Sequence, residues 1–255
     1  MKPDYPILEH DDCESSLIEP SEVLRPVEGM PRHCVLPIYK EVIDSLHAQS
    51  RLTHVTDIGS TMGALPIFRI EHQGQVVAVA HPGLGAPFAA GCLEELIAFG
   101  CRRFVACGAA GVLNRALARG MVVIPNAAVR DEGASYHYLP PGREIEVEPS
   151  VVSTLESVLE SSGIRYRVGK TWTTDAIYRE TRTLIARRKA EGCLTVEMEC
   201  SAFLAVAKFR GVKFGQLLAT GDDVSGNQWD PRRGSEHQSF PEMLFWLSVE
   251  ACLRL

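Results

Sequence analysis

The feature that most constrains this 255-residue sequence is its alternation of short β-branched runs with longer helical ones. Gln75 to Ala80 (Q-V-V-A-V-A) has the pattern of a buried strand and leads through His81–Pro87 into a helix, Phe88 to Phe99, closed by Gly100. Cys34 to Pro37, Arg103 to Cys107, Met121 to Pro125, Tyr166 to Thr173, Leu194 to Val196 and Lys213 to Thr220 are further strand candidates. Lys40 to His47, Pro149 to Ser161, Thr181 to Glu191, Met198 to Phe209 and Phe240 to Leu253 have helical character. This order predicts an α/β fold: a single three-layer domain with a central, mostly parallel twisted sheet flanked by helices. Neither a repeat nor a linker divides residues 33–255. Residues 1–32 carry Pro3, Pro6, Pro20, Pro26 and Pro31, which predicts an extended N-terminal arm lying on the body or on a neighbour.

Composition removes several classes of function. The formal net charge is −6 and there is no dense Lys/Arg run, which argues against nucleic acid or an anionic membrane as a partner. No apolar run approaches the roughly 20 residues that span a bilayer. The acidic N-terminus lacks the order of a secretory signal, so a cytoplasmic protein is expected. Eight cysteines are scattered without a C-x-x-C pair, as expected of reduced core residues rather than metal ligands.

Ligands of such sheets collect at the carboxyl ends of the strands. Four polar or glycine-rich segments begin there: His81–Pro87, Gly108–Gly111, Glu197–Glu199 and Gly221–Asp223. The two glycine turns allow backbone amides to approach an anion or a sugar, although each also suits a plain strand-to-helix turn. Neither is a G-x-G-x-x-G fingerprint or a Walker loop. In Thr195–Ala207 (T-V-E-M-E-C-S-A-F-L-A-V-A), Glu197 and Glu199 stand at the mouth of a helix whose Cys200, Phe203, Leu204, Val206 and Ala207 share an apolar face. Acids there complement the helix dipole; pointed into a cavity, they grip neighbouring sugar hydroxyls. Asp222 and Asp223 follow an apolar strand and are either a solvated turn or, for one of them, an acid for a leaving group. Together this set suits cleavage of a glycosidic bond to a nitrogen base.

In that order, H-P-G-L-G-A-P, F-V-A-C-G-A-A-G, V-V-I-P-N-A-A-V-R-D-E-G-A-S-Y-H-Y-L-P, V-G-K-T-W-T-T-D-A-I-Y, V-E-M-E-C-S-A and A-T-G-D-D resemble the nucleoside phosphorylase-I family. The family contains purine nucleoside phosphorylases, uridine phosphorylases and nucleosidases, and the likeness runs from about Cys34 to the C-terminus. It implies a pentosyltransferase with inorganic phosphate as co-substrate and no cofactor or metal, assembled as a homo-oligomer, dimer or hexamer. It assigns Met198, Glu199 and Glu197 to the ribose and Asp222 to protonation of a purine N7. Ile177, Tyr178 and Thr181 fall at the base, and Gly83, Gly85, Gly108 and Ala109 at the nucleophile. Thr181 and Thr183 replace the Gln and Arg with which uridine phosphorylases read uracil, which favours purine over uridine. Trp172 and Tyr136 are alternative stacking residues or core.

The resemblance breaks at the phosphate. The family's first loop carries Gly and Arg, where this chain has Leu36-Pro37-Ile38-Tyr39-Lys40-Glu41. Ala106 stands for an Arg, Ala109 for a hydroxyl residue, and Ser60-Thr61 lacks the Arg lent to a neighbouring subunit. Each lost Arg removes a contact worth about 1.5–3 kcal/mol, unless Lys40, Arg32 or Arg69 substitutes. Three readings follow: a phosphorylase with an atypical phosphate pocket, a nucleoside hydrolase using water, and a nucleoside-binding protein without turnover.

Overall fold

In the computed structural model, which describes residues 4–11, 15–61, 63–232 and 240–255, the β-branched runs pair into one ten-stranded sheet. Its strands are β1 (His33–Pro37), β2 (Thr53–Ile58), β3 (Leu65–His72), β4 (Gln75–Ala80), β5 (Arg103–Val112), β6 (Val122–Asp131), β7 (Glu144–Glu146), β8 (Tyr166–Thr174), β9 (Cys193–Glu197) and β10 (Lys213–Asp223). The helices are α1 (Pro20–Val23), α2 (Lys40–Ala48), α3 (Ala86–Phe99), α4 (Pro149–Ser161), α5 (Arg182–Ala190), α6 (Cys200–Arg210) and α7 (Phe240–Arg254).

The sheet is mixed, not mostly parallel. Among the described residues, β1–β4, β1–β5, β5–β10, β6–β8 and β8–β9 pair in parallel. The pairs β2–β3, β3–β4, β5–β9, β6–β7 and β6–β10 are antiparallel. Two causes are visible. First, β3 and β4 are joined through Gln73 and Gly74, both at positive φ (51° and 75°), a tight turn that leaves only an antiparallel return. Second, β10 bonds to both β5 and β6, so β5, β10, β6, β8 and β9 close into a ring.

A second departure concerns the glycines. Gly108–Gly111 and Gly221–Asp223 are not turns: β5 and β10 run through them. A Cβ on Gly108 would lie 3.0 Å from Ile38, and one on Gly111 would lie 2.9 Å from Val196. Glycine there serves close packing across a strand instead of reversal of the chain.

Helix α6 is buried from Cys200 to Ala207, as its apolar sequence demands, and ends at Gly211 in the left-handed conformation (φ 64°). It packs on α3, β6 and β10, with Phe203 stacked on Phe214 at 4.9 Å. Helix α7 covers β1 and β5 and meets α4, which lies so close to β10 that a Cβ on Gly215 would be 2.8 Å from Val151. The arm is held by Glu19, whose carboxylate pairs with Arg210 (2.9 Å), while Arg210 also pairs with Glu94 (2.8 Å). Cys34, Cys92, Cys101, Cys107, Cys193, Cys200 and Cys252 are free and buried; Cys13 lies outside the described residues. Among the described residues no helix is long and apolar enough to cross a membrane.

Candidate active site

The acids of the V-E-M-E stretch sit where the ring meets α6. Strand β9 sets Glu197 opposite Thr173 of β8, and the Thr173 hydroxyl donates to Glu197 Oε1 at 2.6 Å. Glu197 Oε2 accepts from the amides of Glu199 (2.8 Å) and Cys200 (2.7 Å), so this carboxylate caps the helix. That is why α6 starts at Cys200 and not at Met198 as its periodicity predicts. Ser201 donates its amide to Thr173 Oγ1 (3.0 Å) and its hydroxyl to Glu132 Oε1 (2.8 Å), binding the residue just after β6 into the cluster. Glu197 is 6% exposed. Burial, then the neighbouring Glu199 charge, push its carboxyl up to about 8 against the pull of its three donors.

Glu199 is 2% exposed, and its Oε1 accepts from the Gly85 amide at 2.7 Å. Burial raises this carboxyl as well. Gly83 and Gly85 hold φ of 80° and 86°, and a Cβ on Gly83 would fall 1.8 Å from the Phe88 ring. Here the glycine turn is real, and it delivers an amide to Glu199. Gly83 itself donates its amide to His81 Nδ1 (3.0 Å), which leaves His81 Nε2–H to donate to the Ile38 carbonyl (3.1 Å). That fixes a neutral imidazole, and burial also lowers its pKa.

Among the described residues the nucleophile side is therefore short of cations. Ile38 rests on Gly108, and Ala109 beside it is exposed. Lys40 is exposed and bonded to Asp44 at 2.6 Å. Arg32 lies before β1, its carbonyl receiving the Arg102 and Arg103 amides at the end of the strand remote from Ile38. Arg69 is on β3, two strands from β1.

At the other end of the cluster, Asp222 Oδ2 accepts from Trp229 Nε1 at 2.6 Å, and Oδ1 lies 3.7 Å from where a Gly111 Cβ would be. Gly111 pairs with Val196, one residue before Glu197, so Asp222 and the V-E-M-E acids share one rim. Asp223 points the other way, as alternation along a strand requires. Its oxygens take the Ser225 amide (2.7 Å) and Arg232 (2.7 Å). Burial opposes ionisation of Asp223, but those bonds outweigh it and hold the carboxyl below its ordinary range.

The expected base residues divide. Ile177 (55% exposed) and Tyr178 (95%) stand in a 3-10 turn ahead of α5. Thr181 caps α5, its hydroxyl oxygen accepting from the Leu184 amide at 3.4 Å. Trp172 and Tyr136 belong to the framework. The Trp172 indole is buried and donates to Asp131 (2.9 Å), while the Tyr136 hydroxyl donates to the Arg130 carbonyl (3.1 Å) beneath the Arg130 guanidinium. His137 and Tyr138 line a cavity of ≈ 580 Å³ between the arm and α3.

Two residues at this rim escaped the sequence reading. Trp229, 63% exposed, grips Asp222 from the loop after β10. Glu180 is half-buried, and burial together with the Asp222 charge push it up to about 7. An acid two residues after an aromatic in a turn carries no local signal, and Trp229 lies in a polar loop without periodicity.

Comparison with known proteins places the chain in a family and finds solved structures of similar fold. The model of the phosphorylase superfamily matches residues 38–242. The chain is 27% identical to a guanosine phosphorylase of Halorubrum lacusprofundi over 163 residues, 64% of this chain and 68% of that one. It is 29% identical to a uridine phosphorylase of Thermococcus kodakarensis over 168 residues, spanning 58% of each. Among solved structures, a purine nucleoside phosphorylase from Toxoplasma gondii superposes with a TM-score of 0.74 at 22% identity, over 89% of this chain and 92% of that one. An AMP nucleosidase from Bacteroides thetaiotaomicron gives 0.73 at 20% identity over 90% of each. At such identities these two likenesses speak for the fold alone.

Proposed function

The chain belongs to the phosphorylase superfamily, and from that premise we propose that it cleaves the N-glycosidic bond of a nucleoside, purine favoured over uridine, with inorganic phosphate as nucleophile. One observation carries the reading: buried Glu199 against the Gly85 amide and Asp222 against Gly111 lie along one rim, joined by the Gly111–Val196 pairing. In this reading ribose enters by exchanging the Gly85 amide on Glu199 for its 2′ and 3′ hydroxyls, with Met198 under the sugar. Glu197 holds the helix start beneath. Asp222 protonates the base as the C–N bond stretches, and phosphate arrives on the opposite face near Gly83 and Gly108. Thr181 and Thr183, in place of the Gln and Arg with which uridine phosphorylases read uracil, support purine. No cofactor is required, and the assembly is a homo-oligomer in which a neighbouring copy completes the site.

A second reading, water in place of phosphate, is favoured by Ile38 seated on Gly108 and by the neutral His81 beside it. Turnover of inosine, adenosine, guanosine and uridine with and without phosphate or arsenate separates the two. Phosphorolysis requires the anion and releases a ribose phosphate, hydrolysis proceeds without it, and absence of turnover on all four substrates would sink both.

A further inference from the structure

We infer that the Gln216 amide is a nucleophile-binding group of the site, holding an oxygen nucleophile that carries a proton, water or inorganic phosphate; this rests on the glycosidic-cleavage reading above. Gln216 lies in the middle of β10 and is 2% exposed, yet among the described residues neither its Nε2 nor its Oε1 has a hydrogen-bond partner. Buried polar groups without partners are rare in folded chains, because nothing then offsets their desolvation. Side chains alternate along β10. A Cβ on Gly215 would meet Val151 and Leu155 of α4, whereas Phe214 stacks on Phe203 of α6. Gln216 therefore faces the α6 side of the sheet, the side on which Glu199 and the start of that helix lie. Leu36, Ala106 and Gln216 form one row across β1, β5 and β10, and Gly108 and Leu218 belong to the row two residues further along. Ile38 sits on that further row, against Gly108, and its carbonyl takes the neutral His81. The amide thus stands one row beneath the nucleophile side of the rim, next to Ala106, whose side chain is a single methyl.

An amide offers a donor and an acceptor at one point, and water and hydrogen phosphate both answer the two together. Nε2–H donates to the nucleophile and Oε1 accepts its O–H, which leaves a lone pair to be aimed at C1′. That lone pair forms the C1′–O bond as the C1′–N bond breaks and its electron pair leaves with the base. One proton leaves the nucleophile and the base takes one up, so Gln216 itself gains and loses none.

The test compares wild type, Gln216→Met and Gln216→Glu on whichever of inosine, adenosine, guanosine and uridine wild type turns over fastest, with and without inorganic phosphate, alongside thermal midpoints in both conditions. Met keeps the length of the side chain and removes both amide groups. If phosphate is the nucleophile, it raises the wild-type midpoint. Gln216→Met should then lose that rise and raise KM for phosphate at least ~10-fold, with KM for the nucleoside unchanged. Gln216→Glu should raise KM for phosphate further, because its carboxylate repels the anion. If water is the nucleophile, wild type is indifferent to phosphate, and Gln216→Met should lower kcat at least ~10-fold at unchanged KM. Gln216→Glu, which still accepts the water proton, should then recover part of the rate. Without phosphate the Gln216→Met midpoint should hold or rise, because an apolar chain replaces an unpartnered buried amide. An active enzyme whose Gln216→Met variant keeps the wild-type kcat and KM for phosphate, or whose variant no longer folds, overturns the role of Gln216 and leaves the glycosidic reading standing. A wild type inactive on all four nucleosides overturns that reading and this one with it.

Discussion

At the scale of single residues, the site is a set of carboxylates given different work by their surroundings. Glu197 spends three acceptor bonds on Thr173 and the start of α6, so it is structural before it is anything else. Glu199 takes the Gly85 amide, which a positive-φ loop presents to it. Glu199→Gln keeps an oxygen for Gly85 but removes the charge, and charged hydrogen bonds are worth about 1.5–3 kcal/mol. We expect KM for the nucleoside to rise ~10-fold or more with the thermal midpoint nearly unchanged; steady-state kinetics with unchanged KM would remove the sugar from this residue. Asp222→Asn should reduce kcat on purine nucleosides ~100-fold and spare 4-nitrophenyl β-D-ribofuranoside, whose leaving group departs as a stable anion, which separates loss of an acid from loss of binding. Glu199 and Asp222 were legible because they end β-branched runs. Trp229 was not, because its bond to Asp222 comes from tertiary proximity across the loop after β10.

At the scale of elements, the strands that declared themselves are those buried on both faces, such as Gln75–Ala80, whose predicted bounds equal β4. Strand β2 (T-H-V-T-D-I) is an edge strand with mostly exposed or half-exposed positions, and β7 is three residues long; neither offers a continuous apolar run. The glycines of β5 and the acids of β10 look like turn chemistry, yet the strands continue because neighbours press against them. The glycine turn before α3 is the one that behaves as its composition suggests. Gly83→Ala places a methyl 1.8 Å from the Phe88 ring at a φ of 80°. Strain and overpacking together should cost about 2–4 kcal/mol, read as a lower denaturant midpoint at unchanged slope. Because the same loop presents the Gly85 amide to Glu199, KM should rise in the same variant. Ile38→Gly acts on the facing element: it opens the space above Gly108, and a phosphorolytic enzyme should respond with a lower KM for phosphate, whereas a hydrolytic one should be indifferent to the anion in both forms.

At the scale of the whole molecule, closing β5, β10, β6, β8 and β9 into a ring leaves the start of α6 at a dry junction, and two carboxyls are buried there. Their combined effect on stability has a definite sign. Glu197, pushed up to about 8, and Glu199, also raised, keep protons in the folded chain at pH values where the unfolded chain, with carboxyls near 4.5, has released them. The folded state then binds more protons, so stability is fully present below about pH 4.5 and is lost as pH climbs toward 8. Asp223 works oppositely, since its lowered carboxyl contributes above its ordinary value of 3.8 and loses that contribution in stronger acid. The two trends together put the maximum in mild acid, near pH 5. Thermal melts at fixed protein concentration, which holds any assembly equilibrium constant, should therefore show a midpoint that declines from pH 5 to pH 8. Glu197→Gln, which cannot ionise, should flatten that decline while lowering the midpoint at pH 5, where its amide replaces an acceptor facing the Thr173 hydroxyl. A midpoint that holds level or rises toward pH 8 would mean that the three donors on Glu197 outweigh its burial. The junction would then carry a full charge at neutral pH, and Glu199 would meet a sugar beside a second carboxylate instead of a neutral acid.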